Sequence, residues 1–123
     1  MSHKVLVVDD SEVSLYLIKA IFNDDDRIEV LMENDSTRAL ETIKREKPKV
    51  CILDLMMPVI DGFQLLKAIK AELTLAQLPI VVITAKQDSL SFNRMKALGV
   101  QAYFTKPIEM QEVISCVKKL VDL

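Results

Sequence analysis

Asp9-Asp10, Asp54, Thr84 and Lys106 each stand at or just past the end of a short apolar run. Three carboxylates gathered in one place repel one another: unit charges ~4 Å apart cost about 1 to 4 kcal/mol at effective dielectrics of about 80 to 20. Unaided, such a cluster raises at least one carboxyl pKa. A hard divalent cation removes the conflict, and Mg²⁺ prefers oxygen ligands, keeping several waters beside one or two carboxylates and phosphate oxygens. Asp10 and Asp54 are the candidate direct ligands, with Asp9 acting directly or through water, and the main-chain carbonyl of Met56 is the simplest further ligand. Lys106 complements an anion arriving at the metal, and Thr84 offers a hydroxyl. A carboxylate beside Mg²⁺, faced by a lysine and a threonine, is suited to accepting a phosphoryl group, with the carboxylate oxygen as in-line nucleophile. Asp54 is the candidate nucleophile, because its run is central and Leu55-Met56-Met57-Pro58 leaves it accessible.

These residues meet only if the runs lie side by side. Lys4–Val8, Ile28–Met32, Val50–Leu53, Ile80–Ile83 and Ala102–Phe104 are short and mostly rich in β-branched or aromatic residues, and helical patterns separate them. They read as buried parallel strands. The intervening helices are expected at Ser11–Asn23 with Ser11 as N-cap, Ser36–Lys47 closed by Pro48, Phe63–Glu72, Leu90–Leu98 ended by Gly99, and Ile108–Val121. In the last, Met110, Val113, Ile114, Val117 and Val121 are spaced for one buried stripe. In the first, Leu15, Ile18, Ile21 and Phe22 fall on the core side, with Val13 and Tyr16 nearly opposite. Strand–helix repetition implies right-handed crossovers and a parallel α/β sheet covered on both faces. Ligands of such a sheet sit beyond the carboxyl ends of its strands, where the polar residues stand.

Bulk properties narrow the classes. A chain of 123 residues fits one domain, expected over 1–123 with no attached output domain. Half of the residues are hydrophobic, and a net charge of −2 from 16 basic and 18 acidic residues argues against nucleic-acid binding. No apolar stretch approaches the ~18 residues of a membrane span, and Met1-Ser2-His3-Lys4 is expected to lead straight into the first strand rather than to belong to a signal peptide. Cys51 and Cys116 lack metal-ligand spacing and read as buried thiols, which suits the cytoplasm. Asp24-Asp25-Asp26 reads as a solvated acidic turn, and His3 receives no role.

Four blocks carry a resemblance: Val8-Asp9-Asp10-Ser11; Leu53-Asp54-Leu55-Met56-Met57-Pro58 with Asp61-Gly62; Ile83-Thr84-Ala85; and Tyr103-Phe104-Thr105-Lys106-Pro107. In order and spacing they resemble the receiver domain of two-component response regulators, and the stand-alone chemotaxis-regulator type in particular. No block is specific alone, since aspartates cap helices and a lone Lys-Pro is common; all four in order are specific. The resemblance implies a flavodoxin-like, doubly wound sheet of five parallel strands in the order 2-1-3-4-5 with five helices. It implies phosphorylation of Asp54, Mg²⁺ bound by Asp9, Asp10, Asp54 and Met56, and a phosphoryl group held by Thr84 and Lys106. It further implies a Thr84–Tyr103 switch acting on the surface of the fourth helix, fifth strand and fifth helix, lifetime tuning by Met56 and Lys86, and a cis Lys106-Pro107 bond. The implied partners are a histidine kinase or histidine phosphotransfer protein and a downstream protein target. The implied state is a monomer or phosphorylation-dependent dimer, with no separate turnover substrate. Ile60 stands where receivers commonly have methionine.

Three other readings compete. A haloacid dehalogenase-type phosphatase wants a second acid two residues after its nucleophile, where this chain has Met56. A flavodoxin-like nucleotide binder wants a phosphate loop after the first strand, where Asp9-Asp10-Ser11-Glu12 would repel phosphate. A degenerate receiver, serving as a phosphorylation-independent interaction module, is opposed by the intact acid set with Thr84 and Lys106.

Overall fold

The computed structural model describes residues 2–85 and 88–123. The elements alternate as expected: β1 (His3–Val8), α1 (Glu12–Ile21), β2 (Ile28–Glu33), α2 (Ser36–Glu46), β3 (Val50–Leu53), α3 (Gly62–Ala71), β4 (Ile80–Thr84), α4 (Ser89–Ala97), β5 (Ala102–Thr105) and α5 (Met110–Leu120). All strand pairs are parallel, in the order β2-β1-β3-β4-β5. A 3₁₀ turn at Leu73–Leu75, absent from the sequence reading, joins α3 to β4.

Strand alternation sorts the core into two layers. Val5 and Val7 of β1, Ile52 of β3 and Val81 and Ile83 of β4 pack with α1 and α5 through Leu15, Ile18, Val113 and Val117. Leu6, Val8, Leu53 and Val82 face the other way, toward Ile43 of α2, Leu66 and Ile69 of α3 and Met95 of α4. Each large side chain so buried contributes about 1.5 to 3 kcal/mol. Burial is not even across the sheet. Every residue of β3 and β4 is buried, whereas no residue of β5, which pairs on one side only, is fully so.

Caps set the helix ends. Ser11 accepts from Ser14 N, Asp35 from Thr37 N, and Asp88 from Ser91 N, while Asp61 and Gln64 form a reciprocal capping box. Gly99, at φ 78, follows α4 in the left-handed conformation expected of it.

Three expectations need correction. Met110 is 47% exposed, because α5 starts there rather than at Ile108, with Glu109 as its cap; the buried stripe is Val113, Val117 and Val121 with Ile114 half-buried. Cys116 is half-buried rather than buried, whereas burial pushes the fully enclosed Cys51 thiol up to about 12. The acidic turn is not simply solvated. Asp25 Oδ2 lies 2.9 Å from Arg27 Nη2 and 3.4 Å from Lys118 Nζ, tying the turn before β2 to the end of α5. Hydrogen bonds from Arg27, then from Lys118, hold the Asp25 carboxyl well below the ordinary range.

Candidate functional site

The carboxyl ends of the central strands assemble the site. Asp9 and Asp54 each lie one residue past their strands, and Val8 pairs with Leu53, so the two aspartates are level. The backbone continues that alignment, with Asp54 N donating to the Val8 carbonyl at 3.1 Å and Asp9 N to the Glu33 carbonyl at 3.2 Å. On the far side Lys106 N donates to the Thr84 carbonyl at 2.9 Å, and the Lys106-Pro107 peptide bond is cis, as expected.

The two buried aspartates divide their oxygens alike. Asp9 Oδ1 accepts from Ser11 N at 2.9 Å and Asp54 Oδ1 from Met56 N at 3.1 Å. Their Oδ2 atoms face the Lys106 ammonium, at 3.0 and 3.1 Å respectively. Ser14 Oγ, at 3.1 Å, accepts from the same ammonium, so its donor capacity of three is filled. Burial opposes the charged lysine, but its hydrogen bonds to Asp9 and Asp54 outweigh it and hold its pKa above the ordinary value. For Asp9 burial wins: its carboxyl is raised despite the Ser11 and Lys106 hydrogen bonds, and the Asp54 charge adds to the rise.

That balance tests the site against a cation. Asp9, Asp10 and Asp54 each present an oxygen within 4.8 Å of the others, with Asp10 exposed at the mouth. Three carboxylates against one ammonium leave a local excess of negative charge that burial makes costly at Asp9. A hard divalent ion bound by oxygen offsets both, and the donor set fits one.

Thr84 is wholly buried at the end of β4. Val82 pairs with Tyr103 and Thr84 with Thr105, which makes Tyr103 the diagonal neighbour of Thr84 on the α4 side of the sheet. The Tyr103 ring is half-buried and stands edge-on to Phe92 of α4, with centroids 5.8 Å apart. Met56 is 56% exposed, while its amide is engaged by Asp54. Lys86 lies outside the described residues.

Sequence reasoning missed two residues at the site. Ser14 lies in the first turn of α1 between exposed Val13 and buried Leu15, and its place beside the core stripe was the available signal. Gly62 entered only as half of the Asp61-Gly62 pair in the second block, with no role of its own. A Cβ there would stand 2.5 Å from both the Asp54 carbonyl oxygen and Leu55 Cα, so α3 can begin against the loop only because this side chain is absent. Between them Val59 takes φ 67, and Ile60 N reaches the Pro58 carbonyl at 2.8 Å. This is a γ-turn of the rarer, strained hand, here on a β-branched residue.

Comparison with known proteins agrees with this arrangement. The model of the response regulator receiver domain matches residues 5–118. The sporulation initiation phosphotransferase F of Bacillus subtilis is 28% identical over 123 residues, covering all of this chain and 97% of that protein. The alkaline phosphatase synthesis transcriptional regulatory protein PhoP of the same organism is 32% identical over 98% of this chain, which spans only 49% of PhoP. The chemotaxis protein CheY4 of Vibrio cholerae superposes with a TM-score of 0.88 at 26% identity, over 98% of this chain and 99% of that one. With its fold, acid crevice and four blocks in order, the chain belongs to the response regulator receiver domains of two-component signalling.

Proposed function

We propose that residues 1–123 form one phosphoacceptor switch in which Asp54 takes a phosphoryl group from a phosphohistidine of a kinase or phosphotransfer protein. The observation that carries this reading is the Lys106 ammonium held between Asp9 and Asp54. In the reaction a carboxylate oxygen of Asp54 forms the new O–P bond, the donor's P–N bond breaks, and the imidazole leaves with the bonding pair. Lys106, already aimed at Asp54 Oδ2, stabilises charge on the moving group, and the buried Thr84 stands at the next strand end. Asp9, Asp10, Asp54 and the Met56 carbonyl would hold Mg²⁺, which when bound supplies charge neutralisation to the transferring group. A phosphohistidine donor would dock over the exposed apolar residues near the crevice, among them Val13, Tyr16 and Met56. No described helix is long and apolar enough to cross a membrane, and we place the protein in the cytoplasm beside such donors.

The test is incubation with acetyl phosphate, with and without Mg²⁺, read by intact mass. A phosphoryl adduct that appears only with the metal supports the reading. Its absence under both conditions leaves an interaction module that works without phosphorylation.

The output follows from the β4–β5 register. A phosphoryl group on Asp54 attracts the Thr84 hydroxyl, and the space Thr84 vacates is open to its diagonal neighbour Tyr103, altering the surface of α4, β5 and α5. Inverting a two-state equilibrium from about 1:99 to 99:1 takes about 5.5 kcal/mol, and two charge-assisted hydrogen bonds at ~1.5 to 3 kcal/mol each come near it. Thr84→Ala is therefore expected to keep phosphoryl acceptance while losing the shift in Tyr103 fluorescence and amide resonances that phosphorylation causes. An undiminished shift would eliminate the threonine from the relay.

Met56 and Lys86 occupy the positions that set phosphoryl lifetime in similar proteins. The apolar, exposed Met56 side chain offers no hydrogen bond to orient an attacking water. Met56→Asn should shorten the lifetime of the phosphorylated form by about threefold or more, within the range that positioning a reactant spans. Equal or slower decay of that variant would remove Met56 from this role.

A further inference from the structure

A second concave site lies at the opposite end of the sheet. Lys47-Pro48-Lys49 leads into the amino end of β3 and Leu78-Pro79 into that of β4, whereas Asp54 and Thr84 stand at the carboxyl ends of the same strands. Between these two lead-ins, the end of α2 and the 3₁₀ turn is a cavity of about 490 Å³. Its apolar wall is Ile43, Pro48, Leu75, Leu78 and Pro79. The backbone fixes that wall: Lys47 N donates to the Ile43 carbonyl at 2.9 Å, Leu78 N to Leu75 at 3.0 Å, and Cys51 N to Pro79 at 3.0 Å. Volume and lining are those of a preformed small-molecule pocket.

The rim selects charge. Lys44, Lys47 and Lys49 border the cavity. Lys44 Nζ is paired with Glu72 at 3.0 Å, but among the described residues Lys47 and Lys49 have no ion-pair partner. In a chain of net charge −2, two uncompensated ammonium groups beside an apolar wall mark a local reversal of sign. A neutral apolar body would leave both cations unanswered, and an inorganic anion would leave the wall wet. We propose that this cavity binds a small amphipathic anion, with a carboxylate or phosphate head between Lys47 and Lys49 and a compact hydrocarbon body against Leu75 and Leu78. This site is independent of the phosphoacceptor reading.

The experiment titrates the folded protein with octanoate, octyl phosphate, octanol and inorganic phosphate, following backbone amide resonances. Saturable shifts at Lys49, Leu75 and Leu78 are expected with both octyl anions, with Kd at or below about 1 mM. Octanol should bind about tenfold more weakly, and inorganic phosphate should leave Leu75 and Leu78 unmoved. The double variant Lys47→Asn/Lys49→Gln should weaken octanoate about five- to tenfold, as the loss of two exposed charge contacts implies, and leave octanol unchanged. Asparagine is chosen because Lys47 has φ 51, and an otherwise unaltered amide spectrum shows that the variant is folded. No saturable shift up to roughly 10 mM octanoate, where a Kd of about 1 mM gives near saturation, would overturn the proposal. So would octanol binding equal to octanoate, an unaffected double variant, or an acidic peptide that binds the cavity more tightly than the octyl anions.

Discussion

The Asp54→Ala chain should take up no phosphoryl group from acetyl phosphate and Mg²⁺, a fall of at least about 10³-fold, while remaining folded. The size of the effect follows from the lack of a substitute nucleophile. Asp9 is the more deeply buried of the two strand-end aspartates, and burial raises its carboxyl. Asp10 is exposed at the mouth and outside the Lys106 contacts. Stability should change little by comparison, within about 1 kcal/mol. Lys106 keeps Asp9 and Ser14 as acceptors, and the repulsion between Asp9 and Asp54 disappears with the loss of the Lys106–Asp54 contact. Intact mass with peptide mapping, beside a thermal melt, gives both readings. An adduct formed at the wild-type rate would place the nucleophile elsewhere; a melt collapsed by much more than that amount would make Asp54 a structural residue first.

Adding a single methyl group at Gly62 is expected to damage both the fold and the site. In Gly62→Ala the new carbon meets two main-chain atoms at 2.5 Å, the Asp54 carbonyl oxygen and Leu55 Cα, neither of which can turn aside as a side-chain tip would. The start of α3 or the loop carrying Met56 must move, straining the Gly62 N to Leu55 carbonyl bond of 2.9 Å. Overpacking of this kind costs about 1 to 3 kcal/mol, or roughly 4 to 10 °C in Tm for a chain of this size. The displaced loop also carries the Met56 amide that orients Asp54, so phosphoryl acceptance should slow about tenfold or more. Gly99→Ala is the control: no atom lies near its added carbon, and only the positive φ is strained. Unchanged melting and acceptance in Gly62→Ala would show that the loop gives way freely.

Periodicity and order made the architecture readable in advance. Runs such as Val50–Leu53 and Ile80–Ile83 are too short and too uniformly apolar for amphipathic helices, and their alternation with helical segments leaves a covered parallel sheet as the main solution. Because the polar residues sit at run ends, the meeting of Asp9, Asp54 and Lys106 was legible too. What escaped depends on distances that no pattern encodes. Ser14 matters because the ammonium of a lysine 92 residues away arrives within 3.1 Å of its hydroxyl. Gly62 matters because of what a side chain would strike, not because of any turn signal. Asp25 looked like solvated charge until α5 brought Lys118 alongside, and helix starts moved by one or two residues because Asp88 and Glu109 cap where hydrophobic spacing alone gives no boundary.

Burial and strand pairing are graded from the middle of the sheet to its β5 margin. The proposed acceptor, Asp54, follows a strand paired on both sides, so a group added there would rest on a firm foundation. Tyr103 belongs to an edge strand, paired along a single seam and partly wet, and the lysine follows directly after it. Under the proposed switch, displacement is cheapest where a visiting protein can feel it, and a chemical event at the centre would be converted into movement at the rim.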